Sequence, residues 1–331
     1  MERYRHLVEA SIAGETLSRD DAVSVMRTKD DGVMPLLQAA FVVRERYFGR
    51  KVKVCVLQNA RSGLCPEDCH YCSQSALSSA PIGKYRLLGR ESLLEGARRA
   101  ARAGARRYCM VTSGRGPSAA DLDHLADAVR AIKREFPDLE ICVSPGLLSE
   151  EQARALKAAG VGWINHNLNT SRRFYPEICS THAYDDRVET VRNVKRAGLR
   201  TCCGGIIGMG ESDDDVVDVA LAVRELKIDS IPVNFLQPID GTPLATAPTF
   251  SPLRGLKALC LFRFLNPRSE IRMAAGRELH LKDSQHLALY AANSIFVDGY
   301  LTTPGQKAEE ARRMIVEAGF EVEDETPSPC C

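Results

Sequence analysis

The feature that most limits how this chain can fold is a repeating alternation of short apolar runs with amphipathic stretches. The runs are VKVCVLQNA (52–60), RYCMVTS (107–113), EICVSPG (140–146), GWINHNL (162–168), RTCCGGIIG (200–208), SIPVNFL (230–236), EIRMAAG (270–276) and NSIFV (293–297). Each has the length and β-branched content of a buried strand. Between them lie SLLEGARRAARAGA, DLDHLADAVRAIKREF, SEEQARALKAAG, DDRVETVRNVKRAG and DDVVDVALAVRELK, with apolar residues at helical spacing. Several of these stretches end in Gly, the residue favoured just past a helix terminus. Eight strands alternating with helices predict a parallel (βα)8 TIM-type barrel over residues 49–300, with an open doubly wound sheet as the alternative. The 331 residues suit such a barrel as one unit. Residues 1–48 read as an N-terminal helical extension, capped at Ser18 and Asp20–Asp21 and continuing through PLLQAAFVVRERYF. Residues 301–331 read as a C-terminal extension whose last segment, EDETPSPCC, is polar and expected to fray.

A hydrophobic share of 44% and a charged share of 26% are those of an ordinary globular protein, so no long disordered tract is expected. The 44 basic and 43 acidic residues balance to a net charge of +1. That balance leaves no electrostatic footprint for nucleic acid or a membrane surface. No apolar run approaches the ~18 residues a membrane span needs. The first residues have no apolar signal core and carry several acids, so a cytoplasmic setting is expected.

In a reducing compartment the 12 cysteines are not expected to pair as disulfides. Cys55 and Cys260, set in apolar sequence, read as small buried hydrophobes. Cys65, Cys69 and Cys72 are different. Their C-x3-C-x2-C spacing, in the loop after the first strand, lets three thiolates wrap one metal centre. Soft thiolates select zinc or iron–sulfur clusters. A structural zinc site takes a fourth Cys or His, and His70, between two ligands, is poorly aimed to supply it. Three thiolates on a [4Fe–4S] cluster leave one iron open to a small molecule. The barrel context favours that second reading, because chemistry in such barrels sits in the loops after the strands.

The C-x3-C-x2-C loop with Tyr71 before its last cysteine resembles the radical S-adenosylmethionine superfamily. That resemblance implies an open iron that binds the amino and carboxylate groups of S-adenosylmethionine and an electron that splits it to a 5′-deoxyadenosyl radical. Three more cysteines, Cys109, Cys142 and Cys202, fall on the second, third and fifth candidate strands, and Arg272 on the seventh. Packing thiols and a salt-bridged Arg are the plain alternative, since Arg is normally always protonated. With the flanking text NHNLNTS, GGIIGMGES, VNFLxxxxGTPL, AAGRE and NSIFVxxYLTTPG, the chain resembles the biotin synthase family from about residue 20 to 322.

The resemblance implies sulfur insertion into dethiobiotin between C6 and C9, the last step of biotin formation. It implies that Cys109, Cys142, Cys202 and Arg272 ligate a [2Fe–2S] cluster whose bridging sulfide is the sulfur donor. It assigns Asn165 and Asn234 to the ureido ring of dethiobiotin and Asn167 and Asn169 to S-adenosylmethionine. The family more often has Asp where this chain has Asn169. Gly205 and Gly208 match a segment lining the S-adenosylmethionine site, and their string does not fit the dinucleotide pattern G-x-G-x-x-G. Arg187 matches a residue that reaches the cofactor carboxylate, with a surface salt bridge as its alternative. Thr302 and Thr303 match substrate-carboxylate contacts, with turn capping the alternative. Expected partners are a reductant such as flavodoxin or ferredoxin, iron–sulfur assembly proteins and a second copy in a homodimer. Cys203 stands where the family often has Ser, so the ligand role of Cys202 stays open to a slip of one residue. Strand alternation allows only one of the two to face the pocket. Cys179, Cys330 and Cys331 match no known role. A related enzyme using its second cluster differently and a zinc-stabilised binding protein are the competing functional readings.

Overall fold

The computed structural model describes residues 2–323, which leaves Cys330, Cys331 and nearly all of the polar tail outside the described residues. The N-terminal extension is helical as expected: α1 (Arg5–Ala13), α2 (Arg19–Met26) and α3 (Val33–Phe48). Ser18 caps α2 by accepting from the Asp21 amide at 3.0 Å.

Strands and helices then alternate. They are β1 (Lys51–Arg61), α4 (Arg90–Arg102), β2 (Arg107–Thr112), α5 (Ala119–Glu135), β3 (Glu140–Ser144), α6 (Glu150–Ala158), β4 (Trp163–Asn165), α7 (Tyr184–Arg196) and β5 (Arg200–Cys202). There follow β6 (Gly205–Ile207), α8 (Asp213–Glu225), β7 (Ser230–Phe235), α9 (Pro252–Leu265), β8 (Glu270–Met273), α10 (Arg277–Leu281), α11 (Gln285–Ala288), β9 (Ser294–Val297), α12 (Ala308–Glu317) and β10 (Glu321–Val322). Every strand pair is parallel, and β9 returns to β1, with Lys53 opposite Ser294, which closes the barrel. The (βα)8 architecture is therefore the one the alternation predicted.

Local chemistry sets the helix ends. Ser118 with Asp121, Ser149 with Gln152 and Ser212 with Asp215 form reciprocal capping boxes at α5, α6 and α8. Gly104, Gly160 and Gly198 take φ of 63°, 106° and 72° just past α4, α6 and α7, where a side chain would be strained.

Three features differ from the sequence reading. The run 200–208 is two short strands, β5 and β6, sharing one register against β7: Cys202 opposes Ser230 and Gly205 opposes Val233. The interruption faces Pro232, which has no N–H to donate. There the Gly204 backbone passes so close that a Cβ would lie 2.0 Å from the Pro232 carbonyl oxygen. Helix α9 has buried residues on every side because α2, α3 and α8 pack on its outer surface, so it carries no amphipathic signature. Finally, β10 adds to the edge of β1 through Lys51 and Val52. Among the described residues no helix is long and apolar enough to cross a membrane.

Candidate active site

The barrel encloses a cavity of about 360 Å³ that runs from the loops after the strands down to its floor. Both cysteine sets open into it. Cys65, Cys69 and Cys72 line its mouth, and Cys109, Cys142, Cys202 and Arg272 line its floor. Tyr71, Asn165, Asn167, Asn169, Arg187, Asn234, Thr302 and Thr303 line the wall between. All described cysteines are free thiols.

The mouth loop follows β1 and is held by its own backbone. The Cys72 amide donates to Cys69 O at 3.2 Å, Ser75 to Cys72 O at 3.1 Å and Ala76 to Glu67 O at 2.8 Å. The Gln74 side chain accepts from the Gly63 amide at 3.0 Å and from Asn59 at 3.3 Å. Ser73 and Thr302 share a hydroxyl hydrogen bond of 2.7 Å, which ties the loop to the segment after β9. His70 is outside the cavity lining, its amide bound to Ile178 O at 2.9 Å, as its sequence position suggested. Burial pushes the Cys72 thiol up to about 11, against the lowering pull of backbone amides and Arg187.

The floor is built by register. Cys109 and Cys142 are direct partners across β2 and β3, and Asn165 is paired with Cys202 across β4 and β5. The Asn165 amide donates to Cys202 Sγ at 3.3 Å, and Arg272 Nη1 points at the same sulfur from 3.6 Å. A hydrogen bond from Cys142, together with the guanidinium charges of Arg272 and Arg107, brings the Cys202 thiol down to about 5 despite its burial. Cys203 points the other way, into the outer apolar core, and burial pushes its thiol up to about 12. Cys55, Cys109, Cys142, Trp163, Ala274 and Phe296 form a small inner core of their own.

Beneath the sulfurs lies an ion network. Glu270 accepts from Arg107 at 3.0 and 3.2 Å, from Ser230 at 3.0 Å and from Arg272 Nη2. Burial opposes the charge of Arg272, but the Glu270 carboxylate and Cys202 outweigh it and hold the guanidinium protonated. Ser294 accepts from Arg272 Nε at 3.1 Å. Nη1 is thus the guanidinium nitrogen presented to the thiols.

On the wall, Asn165, Asn167 and Asn169 all reach the cavity, but strict alternation does not explain it, since His166 lines it too. The strand ends at Asn165, and Asn169 sits at φ 70°, a backbone region Asn tolerates better than most residues. Asn167 Oδ1 accepts from the Gly204 amide at 3.0 Å, and Asn169 donates to the Tyr71 hydroxyl. Arg187 is a buried wall residue and not a surface ion pair. It donates to Asn167 O at 2.9 Å, to His182 Nε2 at 2.7 Å and to the Tyr175 hydroxyl. Among the described residues no carboxylate pairs with it. Asn234 donates to Gly205 O at 3.2 Å and accepts from the Ala275 amide at 3.3 Å.

Gly205 and Gly208 do not line the main cavity. A Cβ on Gly208 would lie 2.9 Å from the Phe250 ring, and its φ is 104°, so packing and backbone shape account for the glycine. Sequence reasoning assigned no place to Cys179, His182 and Glu67 in the cavity surroundings, nor to the Arg107–Glu270 network. Only the strand positions of Arg107 and Glu270, two residues before Cys109 and Arg272, signalled inward charge.

The donor sets fit iron–sulfur clusters. Each depth offers three thiols from rigid backbone, and the floor adds a guanidinium nitrogen, Arg272 Nη1, aimed at Cys202 Sγ. Among the described residues the buried His166 Nε2 has no hydrogen-bond partner, which fits a polar ligand in the cavity.

Comparison with known proteins agrees. Residues 61–223 match the model of the radical SAM superfamily, and residues 232–321 match that of the biotin and thiamin synthesis associated domain. Biotin synthase of Bacillus subtilis (strain 168) is 50% identical over 98% of this chain and 96% of its own length. Biotin synthase of Geobacillus thermodenitrificans is 50% identical over 99% of this chain and 98% of its own. This chain belongs to the biotin synthase family. Among solved structures, methylornithine synthase superposes with a TM-score of 0.83 at 22% identity, covering 96% of this chain and 97% of the other. The FeFe-hydrogenase maturase HydG from Carboxydothermus hydrogenoformans gives 0.81 at 19% identity over 98% of this chain and 80% of its own. At those identities the likeness concerns the fold, and the barrel of this biotin synthase family member is shared with enzymes of other names.

Proposed function

We propose that this chain converts dethiobiotin to biotin by radical sulfur insertion, using S-adenosylmethionine. The observation that carries the reading is two separate sets of three thiols at two depths of one cavity, in a chain half identical to biotin synthases over nearly its full length. Cys65, Cys69 and Cys72 would hold a [4Fe–4S] cluster at the mouth, and Cys109, Cys142, Cys202 and Arg272 a [2Fe–2S] cluster at the floor. Together these supply the electron that opens S-adenosylmethionine and the sulfide that enters the product.

The chain's own residues do the binding, orienting and shielding. Arg187, a buried guanidinium that pairs with no carboxylate among the described residues, suits the carboxylate of S-adenosylmethionine. Asn167 and Asn169, with Tyr71 beside them, offer donors and acceptors for its amino and ribose groups. Asn165 and Asn234 sit deeper, where amides suit a cyclic urea, and Thr302 and Thr303 suit the far carboxylate of dethiobiotin. Gly205 and Gly208 would act only by shaping the backbone around Ile206, which does line the cavity. Enclosure by the barrel keeps water and stray hydrogen donors from the substrate carbons.

The same reading divides the chain into a helical extension (1–48), a catalytic barrel (49–300) and a C-terminal extension (301–331). It also takes in a flavodoxin- or ferredoxin-class reductant, iron–sulfur assembly proteins, a homodimer and a cytoplasmic setting. The test is anaerobic purification followed by incubation with dethiobiotin, S-adenosylmethionine and a reductant. Brown protein with iron and acid-labile sulfide, and biotin in the assay, is the expected result. Colourless protein carrying zinc and making no biotin overturns the proposal.

A further inference from the structure

Behind the mouth loop lies a second cluster of ligating groups, of which the sulfur-insertion reading uses Cys69 alone. Cys179, in the segment between β4 and α7, places its Sγ 3.8 Å from Cys69 Sγ. The ring nitrogens of His182 lie 3.3 and 3.8 Å from the same Cys179 sulfur. One ligand atom from each of Cys69, Cys179 and His182 falls within 4.8 Å of the others, and all three residues are buried. Two carboxylates border the group. Glu67 pairs with His182 Nδ1, and Asp68 Oδ1 is 3.2 Å from Cys179 Sγ.

These separations are those of a tetrahedral cation site. Two sulfurs each ~2.3 Å from zinc at the tetrahedral angle stand about 3.8 Å apart, and a sulfur and an imidazole nitrogen about 3.6 Å. Two thiolates and a neutral imidazole also balance a divalent charge, and a carboxylate at the edge completes four donors. Packing alone does not call for a Cys, a His and two acids converging in a buried pocket.

We propose that the cluster-free chain binds one thiophilic divalent cation, zinc or ferrous iron, at Cys69, Cys179 and His182. On binding, the two thiols release their protons to solvent, Arg187 gives up its 2.7 Å bond to His182 Nε2, and the cation takes two sulfurs, that nitrogen and an Asp68 oxygen, while Nδ1–H stays with Glu67. Cys69 belongs both to this site and to the C-x3-C-x2-C loop, so a single cation here and a cluster on that loop exclude each other. The site caps Cys69 until the cluster is built.

The test is anaerobic titration of the full-length, cluster-free chain with Co²⁺, read by the visible ligand-field bands and the thiolate-to-cobalt charge-transfer absorption. A background with Cys109→Ala, Cys142→Ala and Cys202→Ala removes the floor thiols from the reading. Cys179→Ser and His182→Gln should each weaken cobalt binding at least tenfold, whereas Cys65→Ser should change it less than threefold. Should Cys179→Ser fail to match the parent by circular dichroism, His182→Gln carries the same comparison, since it leaves every thiol in place. Loss of the bands in Cys65→Ser with retention in Cys179→Ser and His182→Gln overturns the proposal, because the loop alone would then hold the metal. Equal loss in all variants, or no tetrahedral spectrum at all, overturns it too. Chain already loaded with its mouth cluster should take up no cobalt at this site, and uptake with an unchanged thiolate spectrum would refute the exclusion.

Discussion

Replacing Glu270 with Gln probes the network beneath the floor thiols. The carboxylate sits where Arg107, Arg272 and Lys53 converge. It accepts from both terminal nitrogens of Arg107 at 3.0 and 3.2 Å and from Arg272, with Lys53 Nζ at 3.7 Å. Neither guanidinium is exposed to solvent. Gln keeps the shape but removes the charge, and its NH₂ faces donors where an acceptor stood. Removing one partner of a buried ion pair costs about 3–5 kcal/mol, because the remaining charge stays buried and unpaired. The unfolding entropy of a chain this size is roughly 0.7 kcal/mol per kelvin near 60 °C. Glu270→Gln should therefore lower the Tm of the cluster-free protein by about 4–7 °C.

The assay is thermal unfolding at pH 7 by calorimetry and circular dichroism at matched scan rates. Glu140→Gln is the internal comparison. Its carboxylate touches Arg107 at 2.8 Å but is 19% exposed, so water can replace much of what is lost. Its Tm should fall by less than half as much. If the Glu270→Gln transition stays within 1 °C of the parent, or Glu140→Gln proves the worse of the two, the picture of Glu270 as the hub is wrong.

Other outcomes follow from the same geometry. Cys69→Ala should abolish reductive cleavage of S-adenosylmethionine, measured as 5′-deoxyadenosine. Cys202→Ser should damage the floor cluster's visible and Mössbauer signature and stop biotin formation. Cys203→Ser, whose side chain packs in the outer core, should leave both largely intact at a cost of about 1–3 kcal/mol for a buried hydroxyl. Asp215 is held down to about 2, against a usual 3.8, by hydrogen bonds from Ser171, Ser212 and Arg173 that outweigh its burial. A depressed carboxylate contributes its stability above the unfolded value and loses it as pH falls through the folded one. Asp215→Asn should therefore cost about 2 kcal/mol at pH 7, and that difference should shrink toward zero between pH 4 and 2 in urea titrations.

What the sequence revealed depended on whether a residue's role is local. The strands around Cys109, Cys142 and Arg272 were legible because a doubly covered parallel strand is a plain apolar run. The mouth loop was legible because three ligands within eight residues need no tertiary partner. The break between Cys202 and Gly205 was not, since its cause, Pro232, is on the neighbouring strand. Helix α9 was hidden because helices from the N-terminal extension cover its outer face, which erases the polar stripe that periodicity detects. Cys179 and His182 were invisible as a pair with Cys69, since 110 residues separate the two cysteines. Gly208 shows the converse: a glycine that resemblance places in a ligand segment is required in any case by its own φ and by Phe250.

The charges of the cavity wall make a further point that neither motif conveys. At the floor, Lys53, Arg107 and Arg272 face three carboxylates, Glu140, Glu270 and Glu323, so cations and anions balance. Buried charge of that kind is costly unless it is paired. Cys202 stands at the edge of this balanced network, where the hydrogen bond from Cys142 and the guanidinium groups of Arg272 and Arg107 favour its thiolate. At the mouth, the described partners of the buried Arg187 guanidinium are all neutral acceptors. The wall thus presents guanidinium groups to anionic occupants at both depths, thiolate sulfur below and a carboxylate above. Under the proposed function, that separation gives each depth a different task. Strand-borne thiols, fixed by the barrel's hydrogen bonds, suit a donor set that must hold its position beside the substrate carbon. Loop-borne thiols suit a centre that must admit a small molecule and an electron from outside. A barrel that borrowed one set from the loops and the other from its own strands keeps those two demands apart without a second domain.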